Sequence, residues 1–236
     1  MIHYDLIALD ADDTLWHNER LYEATQAGLA ELLAPYGIDV PILNEHLFKT
    51  ETGNISLFGY GIKSFTLSMI QAAIELTDGK IAARDVMGIL SLAKAQLTAP
   101  VELLDHVAET TAKLAQFHRL MMVTKGDLLD QERKLTRSGL GQYFHTIEVI
   151  SDKTVETYAR LFKNHGLESE RVLMVGDSIR SDIQPILELG GTAVYIPYQV
   201  TWQHEAGDVP ASGTLRFYQL DHFGQLPALL EELESG

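Results

Sequence analysis

The chain of 236 residues has no cysteine, which excludes disulfides, thiolate metal sites and a cysteine nucleophile, and fits a reducing compartment. Positive charge is scarce: 18 Lys and Arg stand against 33 Asp and Glu, a net charge of −15. Nucleic-acid binding rests on neutralising phosphates with Lys and Arg, so this balance argues against DNA or RNA as a partner. A small anionic substrate is compatible with it if local cations offset the field. Long apolar runs are lacking too. The stretch "MIHYDLIALD" has no basic lead, and its apolar part is too short for a signal peptide or a membrane span. A cytoplasmic protein without a membrane partner is expected. There is no low-complexity tract and no internal repeat, and the oligomeric state leaves no trace in the sequence. The length suffices for one large domain or two smaller ones with a sizeable core.

What is present is concentrated chemistry. The segment "LDADDTLWHNE" (9–19) crowds Asp10, Asp12 and Asp13 directly behind an apolar run. Like charges this close raise each other's free energy, so a cation is implied. Apolar runs of the kind that form buried parallel strands recur at 5–10, 119–124, 146–150, 171–176 and 192–197, with a weaker one at 215–220. Helical patterns fill 127–139 and 154–166, and "SDIQ" (181–184) reads as a capping box opening a short helix. This alternation predicts an α/β, Rossmann-like parallel sheet covered by helices on both faces.

The first two strands are about a hundred residues apart, where a crossover needs only about a dozen or somewhat more. Helical periodicity fills the interval, through Leu21, Leu29, Leu32 and Leu33, then Phe65, Met69, Ile70 and Ile74, then Val86 to Leu97. The glycine-bearing stretch 53–64 reads as an interhelical loop, and a helix over 101–118 completes the normal crossover. Residues 16–98 are therefore expected to form an all-α insert, with 1–15 and 99–236 as the sheet domain.

Ligands of open parallel sheets bind beyond the carboxyl ends of the strands. There the sequence places Asp10 and Asp12, then Thr124 followed by Lys125 and Gly126, then Lys153, then Asp177 and Asp182. Four carboxylates against one lysine call for a divalent cation, and all-oxygen ligands favour Mg²⁺. Each group has a plain structural role if taken alone: a turn at Asp12, a strand-end hydroxyl at Thr124, a turn at Asp177. Their convergence on one sheet edge favours chemistry. The basic cluster "ERKLTR" (132–137) is better explained as a solvated helix face than as a nucleic-acid patch.

These residues resemble the motifs of the haloacid dehalogenase superfamily in its phosphatase branch. "DADDT" (10–14) is similar to the first motif, Asp-x-Asp-x-Thr; Thr124 stands for the second, Lys153 for the third, and "GDSIRSD" (176–182) for the fourth. The helical insert behind the first motif resembles the C1-type cap. The sequence departs from the family where Asn often follows Thr124 and Pro often follows Lys153; here Lys125 and Thr154 stand there.

The resemblance implies that Asp10 is a nucleophile forming an aspartyl-phosphate and Asp12 the general acid and base. It implies Mg²⁺ held by Asp10, the Asp12 carbonyl and Asp177 with Asp182 in support, and phosphoryl oxygens held by Thr124, Lys153 and nearby backbone N–H groups. Lys125, Gly126, Trp16 and His17 are candidate substrate contacts, with pocket-rim and hinge packing as their structural alternatives. The expected function is hydrolysis of a small phosphorylated metabolite. Phosphomutase activity shares the same motifs. Haloacid hydrolysis and phosphonate cleavage are disfavoured, because those branches lack the second aspartate. A non-catalytic Mg²⁺-binding phospho-acceptor has no use for the acid/base pair. The connection at 197–213 is long, which hints at function; its Tyr198, Trp202 and His204 read as surface packing.

Overall fold

Six apolar runs pair in parallel in the computed structural model, which describes residues 3–200, 202–211 and 213–235. The strands are β1 (Leu6–Leu9), β2 (Leu120–Lys125), β3 (Thr146–Ile150), β4 (Val172–Gly176), β5 (Thr192–Tyr195) and β6 (Phe217–Gln219), in sheet order β3-β2-β1-β4-β5-β6. Side chains alternate across the sheet. Ile7, Leu9, Leu120, Met122, Leu173 and Val175 face one helix layer, containing α5 (Val107–Leu114), α6 (Leu128–Ser138) and α9 (Leu226–Ser235). Leu6, Ala8, Met121, Val123, Val172 and Met174 face the other, with α7 (Val155–Asn164) and α8 (Gln184–Glu188). Two covered faces explain why these strands read as unbroken apolar runs.

The chain divides into two compact units. The sheet unit comprises Met1–Glu19, Val101–Lys125 and Gln131–Gly236, and the helical unit Arg20–Pro100 with Gly126–Asp130. The helical unit is built from α1 (Glu19–Leu33), α2 (Val40–Phe58), α3 (Ile62–Leu76) and α4 (Ala83–Thr98). Its core draws Leu29 and Leu33 from α1, Leu43 and Leu47 from α2, Phe65 and Met69 from α3, and Ile89 and Ala93 from α4. It begins four residues after the expected position 16, because Trp16 is 1% exposed in the sheet unit's core and bridges to Leu103.

Three local expectations are corrected. α2 is absent from the periodicity reading, although it opens with Pro41 in its first turn, where proline is tolerated. Only Leu43, Leu47 and Asn54 of it are buried, so its apolar stripe is thin. Its end takes in residues 53–58 of the supposed loop, leaving a turn at Gly59 to Gly61 with φ of 74° and 103° at the two glycines. The crossover helix is confined to Val107–Leu114, because the segment before it pairs with residues 15–17 instead. His17 N–H donates to Glu102 O at 3.0 Å and Leu104 N–H to Leu15 O at 3.0 Å. The third correction is at the capping box: Ser178 is the cap, its Oγ accepting from Ser181 N–H at 3.0 Å, and a wide π-type turn (Ile179–Ile183) precedes α8. Among the described residues no helix is long and apolar enough to cross a membrane.

Candidate active site

β1 and β4 are neighbours where the strand order reverses, and an open parallel sheet leaves a crevice at the carboxyl ends there. Asp10 N–H donates to Val175 O at 2.9 Å, which ties the two strand ends together and sets Asp10 beside the Gly176–Asp177 turn. A side chain at Gly176 would meet the Asp182 carboxylate at 2.3 Å, so the glycine allows Asp182 to fold over the strand end. The Ser178 turn brings it there, with Ser178 N–H donating to Asp182 Oδ2 at 3.1 Å.

Carboxylate oxygens of Asp10, Asp177 and Asp182 consequently lie within 4.8 Å of one another. Lys153, just past β3, donates to Asp182 Oδ1 at 2.6 Å and to Asp10 Oδ1. Thr14 Oγ1 lies between Asp10 Oδ2 at 3.5 Å and Asp177 Oδ1 at 3.4 Å. Burial, followed by the charges of Asp10 and Asp182, holds the Asp177 carboxyl well above the ordinary carboxylate range. Burial also pushes Asp182 up to about 7, against the pull of Lys153. Burial opposes the Lys153 charge, but Asp10 and Asp182 hold its pKa well above the usual lysine value. One lysine thus faces three crowded carboxylates, and this oxygen-only donor set fits a small divalent ion such as Mg²⁺. Both Asp182 oxygens are engaged by Lys153 and Ser178, which leaves Asp10 and Asp177 as the better-placed ligands.

Asp12 is held by a different set of donors. Its carboxylate receives Trp16 Nε1 at 2.6 Å, Gln131 Nε2 at 2.8 Å and Lys134 Nζ at 2.9 Å. Asp13 takes the left-handed backbone, φ 61°, and accepts from Asn18 N–H at 2.8 Å and Glu19 N–H at 2.9 Å, capping the start of α1. Burial raises Asp13 to about 7, against the backbone donors that pull it down.

Thr124, next to last in β2, is buried, and its hydroxyl donates to Lys125 O at 3.3 Å. Lys125 Nζ pairs with Glu205 Oε1 at 2.5 Å and donates to Ser181 Oγ at 2.8 Å. Glu205 also accepts from Ser178 Oγ at 2.6 Å and from Ser181 Oγ, so it clamps the ends of β2 and β4. Burial works against its charge, but Lys125 and the two serines hold Glu205 down to about 2. Gly126 follows with φ 108°, where glycine avoids strain. Of the two residues expected at a hinge or against substrate, Trp16 binds Asp12, and His17 Nδ1 meets Tyr198 Oη at 2.6 Å. In the long connection, Arg180 donates to His204 O at 2.9 Å and the Trp202 and His204 rings lie 4.8 Å apart.

A family model described as haloacid dehalogenase-like hydrolase matches residues 4–190. The chain belongs to this family. A haloacid dehalogenase-like hydrolase from Xanthomonas campestris has a solved structure similar to it, with TM-score 0.88 and 38% identity over 98% of this chain and 92% of that one. The glyceraldehyde 3-phosphate phosphatase of Methanocaldococcus jannaschii is 26% identical over 202 residues, covering 80% of this chain and 83% of that protein. The N-acylneuraminate-9-phosphatase of Mus musculus is 28% identical over 138 residues, 56% of this chain and 53% of that protein. The chain spans about half the length of the N-acylneuraminate-9-phosphatases it matches.

Sequence reasoning about this haloacid dehalogenase-like hydrolase overlooked Gln131, Lys134 and Glu205. Lys134 belongs to the cluster 132–137 expected to be a solvated face. Glu132, Arg133, Thr136 and Arg137 are exposed, but Lys134 turns inward with its side chain 14% exposed. The available signal was the spacing of Gln131 and Lys134, which puts both on one face of α6. Glu205 carried no local signal, since its partners lie 24 to 80 positions away.

Proposed function

We propose that this protein is a Mg²⁺-dependent phosphatase that hydrolyses a small phosphate monoester through an aspartyl-phosphate on Asp10. The observation that carries this reading is the convergence of Asp10, Asp177, Asp182 and Lys153 at the β1/β4 crevice, with Asp12 two residues beyond the nucleophile. Asp10, the Asp12 carbonyl and Asp177, supported by Asp182, would hold the Mg²⁺, whose charge offsets that of the phosphoryl oxygens. An Asp10 oxygen attacks phosphorus, and the ester oxygen leaves with a proton from Asp12. Asp12 then takes a proton from the water that attacks the acyl phosphate, which returns Asp10 as a free carboxylate. Lys153, already on Asp10, keeps the nucleophile oriented and adds positive charge beside the transferring group. The Thr124 hydroxyl, which donates to Lys125 O, would turn to hold a phosphoryl oxygen.

The similarity to a glyceraldehyde 3-phosphate phosphatase and to N-acylneuraminate-9-phosphatases supports a small phosphorylated metabolite as substrate. A haloacid substrate needs no acid for its halide, so the second aspartate weighs against dehalogenation. The test is phosphate release from a panel of sugar, acid and nucleoside phosphates with Mg²⁺, repeated after exhaustive chelation. The expected result is turnover of at least one ester that chelation abolishes and Mg²⁺ restores. Full activity after chelation would remove the metal from the reading, and no release from any ester would remove the phosphatase.

A further inference from the structure

We propose that Lys134 and Gln131 are positioning residues that act through Asp12, an inference that rests on reading Asp12 as the acid and base. Both oxygens of this carboxylate are engaged. Oδ1 accepts from Trp16 Nε1 at 2.6 Å and Lys134 Nζ at 2.9 Å, while Oδ2 accepts from Gln131 Nε2 at 2.8 Å and Lys134 Nζ at 3.1 Å. The donors are themselves fixed. Trp16 is 1% exposed and Gln131 2% exposed, and the Gln131 amide also donates to Lys125 O at 3.0 Å, which anchors it to the end of β2. Gln131 and Lys134 lie three residues apart on α6, so one helix face presents both to Asp12.

A carboxylate at the end of a single-bond side chain rotates freely unless something holds it, and proton transfer fails when the group is misplaced by a fraction of an ångström to an ångström. The step served is the one in which the Asp12 proton passes to the departing ester oxygen as the P–O bond breaks. Its reverse sense serves the attacking water. Lys134 also donates to Asn18 Oδ1 at 2.7 Å, so a staple of the 12–18 turn is the competing explanation. A staple weakens the enzyme whatever occupies position 12 and whatever group leaves. A positioning residue matters only while Asp12 can transfer a proton and the leaving group needs one.

The experiment is a double-variant cycle. Lys134→Met, Gln131→Leu and Lys134→Arg are made alone and with Asp12→Asn, and assayed with Mg²⁺ on an alkyl phosphate and on 4-nitrophenyl phosphate. Lys134→Met is expected to lower kcat on the alkyl ester by about 10- to 100-fold, with KM within about threefold. Single-turnover phosphorylation by the nitrophenyl ester should change by less than about threefold, because nitrophenolate leaves unaided. With Asp12→Asn already present, adding Lys134→Met should cost less than about threefold more. Lys134→Arg should recover most of the loss. Equal losses for the two esters, or the full loss repeated in the Asp12→Asn background, would overturn the inference and leave the acid/base reading intact. An Asp12→Asn enzyme as fast as wild type on the alkyl ester would overturn that reading itself. If Lys134→Met does not fold, Lys134→Gln, which keeps a donor for Asn18, goes through the same cycle against the same outcomes.

Discussion

The two units bury polarity in different ways. Within residues 20–100 of the helical unit the buried polar residues are Thr25, Asn54, Ser64, Thr66, Ser68 and Thr77, all neutral, and Asp130 in the short 126–130 segment is its one buried charge among the described residues. Several are satisfied one helical turn away: Thr66 Oγ1 donates to Ile62 O at 2.6 Å, Ser68 Oγ to Ser64 O at 3.0 Å and Thr77 Oγ1 to Ala73 O at 2.7 Å. At the sheet edge charged groups are buried beside neutral ones, and their partners are distant in sequence, Lys153 with Asp10 being 143 positions apart. Neutral hydroxyls closed on their own helix cost little and commit to no chemistry. Buried charges cost several kcal/mol each unless paired, and they persist here where strand ends bring their partners together. Residues 20–100 are therefore built to tolerate polarity, and the sheet edge to use it.

Four measurements would break or sharpen this contrast. The largest effect belongs to Asp10→Asn, which should reduce phosphate release to background and abolish acid-stable labelling of the protein by substrate phosphate, read by mass spectrometry. Phosphoenzyme in that variant would mean that another group is the nucleophile. Glu205→Gln comes next. It leaves Lys125 without its buried counter-charge, so denaturant unfolding should show a loss of about 3 kcal/mol, the range for breaking one side of such a pair. Adding Lys125→Met should recover part of that loss, and a loss near zero would mean that the clamp is electrostatically idle.

In the helical unit, Ser68→Ala should cost only about 1 kcal/mol, the value of a net neutral hydrogen bond. A loss matching that of Glu205→Gln would erase the distinction between the units. The smallest effect concerns Glu51 on α2, a half-buried carboxyl that burial pushes up to about 7. Because its folded pKa is raised, the folded state holds its proton more tightly than the unfolded chain. The stability tied to that proton is fully present below about 4.5 and lost as pH rises through about 7. Glu51→Gln should thus raise the melting temperature at pH 8 by roughly 2–4 °C, about 1 kcal/mol, and leave it unchanged near pH 4. Equal shifts at both pH values would point to packing rather than charge.

Much of this molecule could be read along the chain. β1, β2, β4 and β5 stood out as apolar runs because each is buried on both faces, β3 stood out by its β-branched residues although it is a partly exposed edge strand, and the helical interval stood out because about a hundred residues far exceed a crossover. Asp10, Asp12, Thr124, Lys153, Asp177 and Asp182 could be placed on one edge because parallel strands all deliver their carboxyl ends to the same side. α2 was missed because a long helix with few buried residues has little period to detect.

Local chemistry is written in the chain: the strand runs, the acid-rich turn after β1, and the scarcity of lysine beside those acids follow from residue order alone. Which charge meets which was decided by tertiary structure. Lys134 looked like one member of a solvated basic face until α6 turned it onto Asp12, and Lys125 looked free to face a substrate until Glu205 came back from the β5–β6 connection to pair with it. Coulomb attraction acts over a few ångströms of space, whatever the separation along the chain. A contact 80 or 122 positions apart therefore leaves no period, spacing or composition by which the sequence could announce it.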